Sequence, residues 1–412
     1  MNLLLYALVL IWAGIWTGPV LALEIADGKR ALDKKDYFYA YVIFEMLAED
    51  GNPQAPYYLG FLYRNGFGVE QDYSEALKWY RIAVEQGSVS GLVDLGFMYQ
   101  NGLGVPQDTS EAIRLYRLSA DHGSPTGQYN LGQIFEFGLG VERDNVEALK
   151  WYRQAVSDGS IEALVNLGGM YADGRGLRSD LGEAVKLYRA AAEQGNENGQ
   201  IALGLMYQKA HGVAQDLTEA ARWYSLAAEQ GNVVGQYNLG IMYENGLGVT
   251  KDETEALKLI QKAAEGGLIK AQLFLGNLYE LGRLSPNYSE ALFWYNLAAE
   301  KGDVNAQISL GRMTGLGLGV IKNYSDAMTW YKQAAEQGSV DAQFILASGY
   351  STGQGVIKDD VYAYIWSNIA ASRGHVEAQG LREAVANRMT PEQIGEAQRL
   401  TRECVAKEYE GC

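Results

Sequence analysis

Apolar and polar positions along this chain follow two periods, a helical one inside a much longer one. The block Gln128-Tyr-Asn-Leu-Gly-Gln-Ile-Phe-Glu-Phe-Gly-Leu-Gly-Val returns as Gln236-Tyr-Asn-Leu-Gly-Ile-Met-Tyr-Glu-Asn-Gly-Leu-Gly-Val, 108 residues (three times 36) further on. One glycine mark falls at Gly60, Gly96, Gly132, Gly168, Gly204, Gly240, Gly276 and Gly311, with Ala347 in ninth place; every step is 36 except one of 35. A second mark runs Gly87, Gly123, Gly159, Gly195, Gly231, Gly267, Gly302, Gly338 and Gly374 in the same phase. Self-similarity at this period means a solenoid, and it overrides any estimate of domain number from length alone.

Each unit spells two helices, A and B. Helix A is expected to start at a capping residue after the second glycine mark: Asn52, Ser88, Ser124, Ser160, Asn196, Asn232 or Ser339. Their side-chain oxygens can accept from backbone N–H groups that lack a helical partner. Helix B opens with Asp-x-x-Glu, as in Asp72/Glu75, Asp108/Glu111, Asp144/Glu147, Asp180/Glu183, Asp216/Glu219 and Asp252/Glu255, which is the spacing of a capping box. It ends at the second glycine mark, where a left-handed residue closes a helix. Gly-x-Gly-Val between the helices, as at Gly102 to Val105, recurs without a following Lys-Ser/Thr. It therefore reads as a connecting turn and not as a phosphate cradle.

The same register predicts the interior. Small residues recur early in helix A (Ala55, Gly91, Gly127, Ala163) and in helix B (Ala76, Ala112, Ala148, Ala184), where helices must approach closely. Large ones fill the gaps: Tyr63, Tyr99, Phe135, Tyr171, Tyr207, Tyr243 and Tyr279 on A, and Trp79, Trp151, Trp223, Trp294, Trp330 and Trp366 on B, most of them followed by Tyr. An aromatic at a fixed place in every unit is core material, because no unit can bury its own face alone.

Composition narrows the function. The chain has 412 residues with 34 Lys plus Arg and 50 Asp plus Glu, so its net charge is −16. That balance excludes a nucleic-acid binder, which needs a basic face. With 2 Cys and 3 His there is no Cys/His zinc spacing, and no nucleotide loop or nucleophile elbow is present. The carboxylate pairs in every unit are helix caps. No catalytic residue, metal ligand or cofactor site is assigned.

Residues 1–22 read as a secretory signal peptide: the first 23 residues carry no charge, and the apolar run Leu3 to Trp16 precedes Gly18-Pro19 and small residues at Val20 and Ala22. No Lys or Arg opens the run, so an uncleaved membrane anchor is the alternative. If the segment is cleaved, no stable membrane insertion is expected and the chain is exported. Residues 23–51 form an N-terminal partial repeat, 52–374 nine repeats and 375–412 a C-terminal helical cap. The cap holds an A-like helix over about 375–389 and a second from Thr390-Pro-Glu-Gln393 to about Lys407. Cys404 and Cys412 lie there, and a disulfide between them requires the helix to turn back near Gly411, since eight helical residues span about 12 Å. Free thiols and an interchain bond are the other outcomes.

The full pattern is Ala-x-x-x-Leu-Gly-x-x-Tyr-x-x-Gly-x-Gly-Val-x-x-Asp-x-x-Glu-Ala-x-x-Trp-Tyr-x-x-Ala-Ala-Glu-Gln-Gly, carried best by residues 52–87 and 196–302. It resembles the Sel-one-like repeat (SLR) family, a relative of the tetratricopeptide repeats. The resemblance implies an all-α fold: a right-handed α/α superhelical solenoid of about nine 36-residue helix-turn-helix repeats with helical caps. It also implies a non-enzymatic adaptor for other proteins, of periplasmic or secreted type, with no catalytic residue among the repeats. In such a fold helix A lines the concave face.

Positions that drift among units are not fixed by the fold. The residue one turn past the helix-A glycine runs Arg64, Gln100, Glu136, Ala172, Gln208, Glu244, Glu280, Gly315 and Ser351. Arg64, Gln100, Glu136, Gln208, Glu244 and Glu280 are the candidate partner-binding ridge, suited to a basic or polar extended segment of another protein; a merely solvated face is the plain alternative. A binder of an envelope polymer or small ligand is the second functional reading, and a hydrolase on the scaffold the third. Residues 281–316 depart from the pattern: Arg283-Leu-Ser-Pro286 replaces Gly-x-Gly-Val, and Thr314-Gly-Leu316 stands where Tyr-x-x is expected. A bend, a partner pocket or loop drift would each account for this.

Overall fold

The structure is a computed structural model that describes residues 23–282 and 287–412. The signal-peptide reading of residues 1–22 and the Arg283 to Pro286 departure lie outside the described residues. The chain divides into two compact units, Met1–Gly199 with His211–Val213, and Gln200–Ala210 with Ala214–Cys412. Each is all-α among its described residues, a run of antiparallel helix pairs in sequence order, as in an α-solenoid.

In the first unit α1 (Ile25–Asp33) and α2 (Tyr37–Glu49) precede four pairs. These are α3 (Ala55–Asn65) with α4 (Tyr73–Glu85), α5 (Val89–Asn101) with α6 (Thr109–Asp121), α7 (Pro125–Phe137) with α8 (Asn145–Ser157), and α9 (Ile161–Asp173) with α10 (Leu181–Glu193). The unit boundary falls within α11 (Glu197–Lys209), whose helix-B companion is α12 (Leu217–Glu229). The second unit continues with α13 (Val233–Asn245) and α14 (Glu253–Glu265), α15 (Ile269–Glu280) and α16 (Tyr288–Glu300), α17 (Val304–Leu316) and α18 (Tyr324–Glu336), and α19 (Val340–Thr352) and α20 (Asp360–Ser372). Then come α21 (Val376–Ala386) and α22 (Pro391–Ala406), the latter packed on α20.

The glycine mark on helix A is a contact site. A Cβ on Gly96 would lie 2.7 Å from the Tyr116 ring, and Gly60, Gly132, Gly168 and Gly204 meet Tyr80, Tyr152, Tyr188 and Tyr224 in the same way. Those tyrosines are the fully or nearly fully buried aromatics of helix B. In the connecting turn Gly102 and Gly104 are both left-handed (φ 67° and 71°), and a Cβ on Gly104 would strike the Tyr73 carbonyl at 2.7 Å. The second glycine therefore lets each turn lie against the start of the preceding helix B.

The caps differ from expectation in instructive ways. Ser88, Ser124, Ser160, Asn196, Asn232 and Ser339 accept from the backbone N–H three residues on. Asn52 accepts instead from Gln54, and α3 starts two residues late with Pro56 in its first turn. At helix B the Asp caps as expected, but the Glu does not reach back to close a box. The Asp backbone N–H is already satisfied by the carbonyl of the helix-A aromatic nine residues earlier, as in Asp108 to Tyr99 (2.9 Å) and Asp144 to Phe135 (2.8 Å). The Glu is thereby freed to pair with a cation three residues on, as in Glu111–Arg114 and Glu147–Lys150.

The helix-A tyrosines are half-buried and not fully core: Tyr63, Tyr99, Tyr171, Tyr207, Tyr243 and Tyr279 all keep part of their surface in solvent. Of the helix-B tryptophans, Trp223, Trp294 and Trp366 are buried, while Trp79, Trp151 and Trp330 are half-buried.

Cys404 and Cys412 are joined by a disulfide across a Cα–Cα distance of 5.7 Å. The chain reverses at Glu408 and Tyr409, both left-handed (φ 53° and 75°), as well as at Gly411. The Tyr409 amide donates to the Cys404 carbonyl at 2.9 Å, and its ring lies under the Arg373 guanidinium at 5.4 Å.

Candidate functional site

The position one turn past the helix-A glycine faces the phenol of helix B. In the first unit Tyr116 donates its hydroxyl to Gln100 at 2.9 Å, and Tyr152 donates to Glu136 at 2.5 Å. In the second unit Tyr224 donates to Gln208 at 2.9 Å, and Tyr295 donates to Glu280 at 2.9 Å. The drifting residues are thus acceptors chosen by the buried tyrosine sixteen residues on. Arg64 accepts nothing, and Tyr80 Oη has no hydrogen-bond partner among the described residues. Opposite Glu244 stands Ile260, which offers no phenol.

The row is also tied to the next helix A. Arg64 pairs with Asp94 at 2.5 Å, and its guanidinium lies between the Phe61 and Phe97 rings (5.9 and 5.7 Å). Glu136, only 2% exposed, is bonded to Asn166 (3.3 Å) and ion-paired with Arg175. Arg175 stands at the middle place of Gly174-Arg175-Gly176, where most units have Leu or Phe. Arg312 clamps Glu280 through both guanidinium nitrogens, at 2.5 and 2.6 Å. Glu136 is buried and the other five candidate residues are half-buried; none is fully exposed.

Electrostatics follow from this packing. Burial holds the Asp94 carboxyl above its ordinary value, a pull that Arg64 opposes without reversing. Burial pushes Glu280 up as well, but the Arg312 guanidinium and the Tyr295 hydroxyl outweigh it and leave the group below its ordinary value. Burial, with Glu136 beside it, raises the Tyr152 phenol far above its usual range.

The exposed surface of helix A is the adjacent row. In the first unit Phe97 is 42% exposed and Phe137 58%; in the second Leu205 is 38% exposed. Sequence periodicity gives these apolar residues no mark, because their positions vary among units between apolar and polar side chains, as in Phe97, Gln133 and Leu205. A row of buried glutamines was missed too: Gln128, Gln200, Gln236, Gln272, Gln307 and Gln343, of which Gln272 and Gln343 donate to the carbonyls of Ala264 and Ala335.

Among the described residues no group of His, Cys, Asp and Glu is placed to hold a metal ion. His375 caps α21 by accepting from the Ala378 amide, and its ring stacks on Phe344 at 4.3 Å. Among the described residues no helix is long and apolar enough to cross a membrane.

The Sel1 repeat family model matches this chain nine times, at residues 53–88, 89–124, 125–160, 161–196, 198–232, 233–268, 269–303, 304–339 and 340–375. No curated protein matches it. Among the similar solved structures are two more than 30% identical to this chain. One is c5321, a protective antigen of uropathogenic Escherichia coli strains that displays an SLR fold (31% identity, 94% of this chain and 95% of that one, TM-score 0.53). The other is a Sel1 repeat protein from Oxalobacter formigenes (32% identity, 75% of this chain and 90% of that one, TM-score 0.59).

Proposed function

This chain belongs to the Sel1 repeat family, a family of scaffolds for protein–protein interaction, and on that premise we propose that it is an exported, non-enzymatic adaptor that binds protein segments along its helix-A faces. The observation that carries this reading is the pairing of two rows on those helices. A polar row, half-buried except for the buried Glu136 (Arg64, Gln100 and Glu136 in the first unit; Gln208, Glu244 and Glu280 in the second), lies beside solvent-facing apolar residues. An extended segment can lay apolar side chains on Phe97 or Leu205 while its polar groups meet the row beneath. The net charge of −16 favours a basic or polar segment.

Export rests on the uncharged apolar run in residues 1–22 and on the Cys404–Cys412 disulfide, which suits an oxidising compartment such as the periplasm or the medium. The description of the similar c5321 as a protective antigen fits the same compartment.

A second reading, an envelope polymer or small ligand in place of a protein, draws on Phe137, an exposed aromatic of the kind that stacks on sugar rings.

Photo-crosslinking residues placed at Phe97 and Leu205, with controls at Ser110 and Arg222 on exposed helix-B faces, test the proposal in cells. Protein adducts from the helix-A positions alone support the adaptor. Glycan adducts there establish the second reading, and adducts at equal yield from the helix-B controls overturn the helix-A site.

A further inference from the structure

The repeat register shows where an aromatic ring is missing. The helix-A tyrosine position is filled in eight of nine units, by Tyr63, Tyr99, Phe135, Tyr171, Tyr207, Tyr243, Tyr279 and Tyr350; the remaining unit has Thr314. In two of the filled units the ring's hydroxyl is capped by an arginine of the preceding helix B. Tyr99 accepts from Arg81 at 2.8 Å and Tyr171 from Arg153 at 2.7 Å, each eighteen residues earlier. Eighteen residues before Thr314 stands Asn296, and the place of Arg114 is taken by Thr329. The ring and both long side chains beside it are therefore replaced together by short ones.

The result is a cleft of about 440 Å³ lined by Leu292 and Asn296 of α16, Leu310 and Thr314 of α17, and Asp326, Thr329 and Trp330 of α18, with Val320 and Ile321 from the turn. Two of its apolar lining residues are open to solvent: Ile321 is 91% exposed and Val320 41%. Its one carboxylate is also distinctive. At the equivalent place Glu75, Glu111, Glu147, Glu183, Glu219 and Glu255 each pair with Lys or Arg three residues on. Asp326 has Thr329 there and no ion pair among the described residues.

We infer that this cleft receives an aromatic side chain from a partner protein, with a lysine or arginine next to it in the partner sequence. The ring occupies the place that the chain's own tyrosine or phenylalanine fills in the eight other units, against Leu292, Leu310 and Trp330. Asn296 stands where an arginine caps the phenol elsewhere, and the neighbouring cation meets the Asp326 carboxylate that six other units neutralise internally. The cleft is lined by two successive B helices and by Leu310 and Thr314 of the helix A between them, and by none of the six candidate row residues, so it stands or falls apart from the helix-A reading.

The test uses the whole mature chain labelled with 5-fluorotryptophan, the Trp330 resonance being assigned from Trp330→Phe. The peptides Ac-Lys-Tyr-Lys-NH2, Ac-Lys-Ala-Lys-NH2 and Ac-Glu-Tyr-Glu-NH2 are titrated by 19F NMR. The Lys-Tyr-Lys peptide is expected to shift the Trp330 signal saturably, the alanine peptide to leave it in place, and the glutamate peptide to bind at least about tenfold more weakly. Thr314→Tyr, which restores the repeat's own residue, is expected to abolish the shift while raising Tm, so loss of binding is separated from loss of fold. Asp326→Asn is expected to remove the preference for lysine over glutamate. An equal response to the alanine peptide, or undiminished binding by Thr314→Tyr, overturns the proposal. A Trp330 shift that grows with protein concentration alone overturns it in favour of a second copy of this chain.

Discussion

Tyr116 lies flat against Gly96, so close that a single methyl group on the glycine would come within 2.7 Å of the ring. Gly96→Ala is expected to lower stability by about 1–3 kcal/mol, the usual range for overpacking a tight core. Gly380→Ala is the control: it sits in α21 with nothing within 4 Å of the added Cβ, and it should stabilise by about 0.5–1 kcal/mol. Urea unfolding of both variants checks the pair, and equal effects would refute the contact argument.

Arg175 supplies the positive charge for buried Glu136. Arg175→Leu, which installs the residue found at Leu103, Leu139, Leu247 and Leu318, is expected to destabilise by about 3 kcal/mol because it strands the carboxylate. Adding Glu136→Gln should recover most of the loss, since Tyr116–Gln100 and Tyr224–Gln208 show an amide accepting from the same phenol. A double-mutant cycle by chemical denaturation measures the coupling; additive losses would show that the pair is not coupled.

The repeat, its two helices and the glycine-to-ring contact were legible in the sequence because one solution is printed nine times. The chemistry of the helix-A row was not. The partners of Glu136 lie 16, 30 and 39 residues away, and the solution varies among units. Drift at Arg64, Gln100 and Glu136 reads as freedom, yet each residue answers to a local neighbour: Asp94, Tyr116, Tyr152 or Arg175. Likewise the Asp-x-x-Glu spacing suggested a reciprocal cap, and only the fold shows that the backbone N–H in question is already occupied by a tyrosine carbonyl. Thr314 stands out in the sequence as a departure, but the fold is needed to bring Asn296 and Thr329 beside it.

Two carboxylates respond to acid in opposite senses. Glu280 is held below its ordinary value of 4.5 in the folded chain, so its contribution is present above that pH and lost as pH falls through the folded value. Asp94 is held above its ordinary value of 3.8, so the folded chain keeps that proton longer and stability declines as pH rises from 3.8 through the folded value. Stability measured between pH 3 and pH 7 should show a shallower acid loss in Glu280→Gln and a steeper one in Asp94→Asn. Reversed slopes would contradict both assignments.

The Cys404–Cys412 bond closes a loop with a sequence separation of 8, worth about 2.5 kcal/mol in chain entropy. Cys404→Ser with Cys412→Ser should release the Arg373–Tyr409 contact and speed hydrogen exchange in α22, while α3 to α10 exchange as before. Uniform acceleration along the chain would mean that the cap supports more than its own end.

The hydrogen bond from each aspartate cap of helix B to the helix-A aromatic spans only nine residues, as in Asp108 to Tyr99. Each hairpin is thus closed by its own near neighbours, and the next one adds on at a fixed short distance along the chain. Such a molecule has low contact order, and its folding needs no encounter between distant segments. It can wind up pair by pair as it emerges from a ribosome, with each finished hairpin serving as the template for the next.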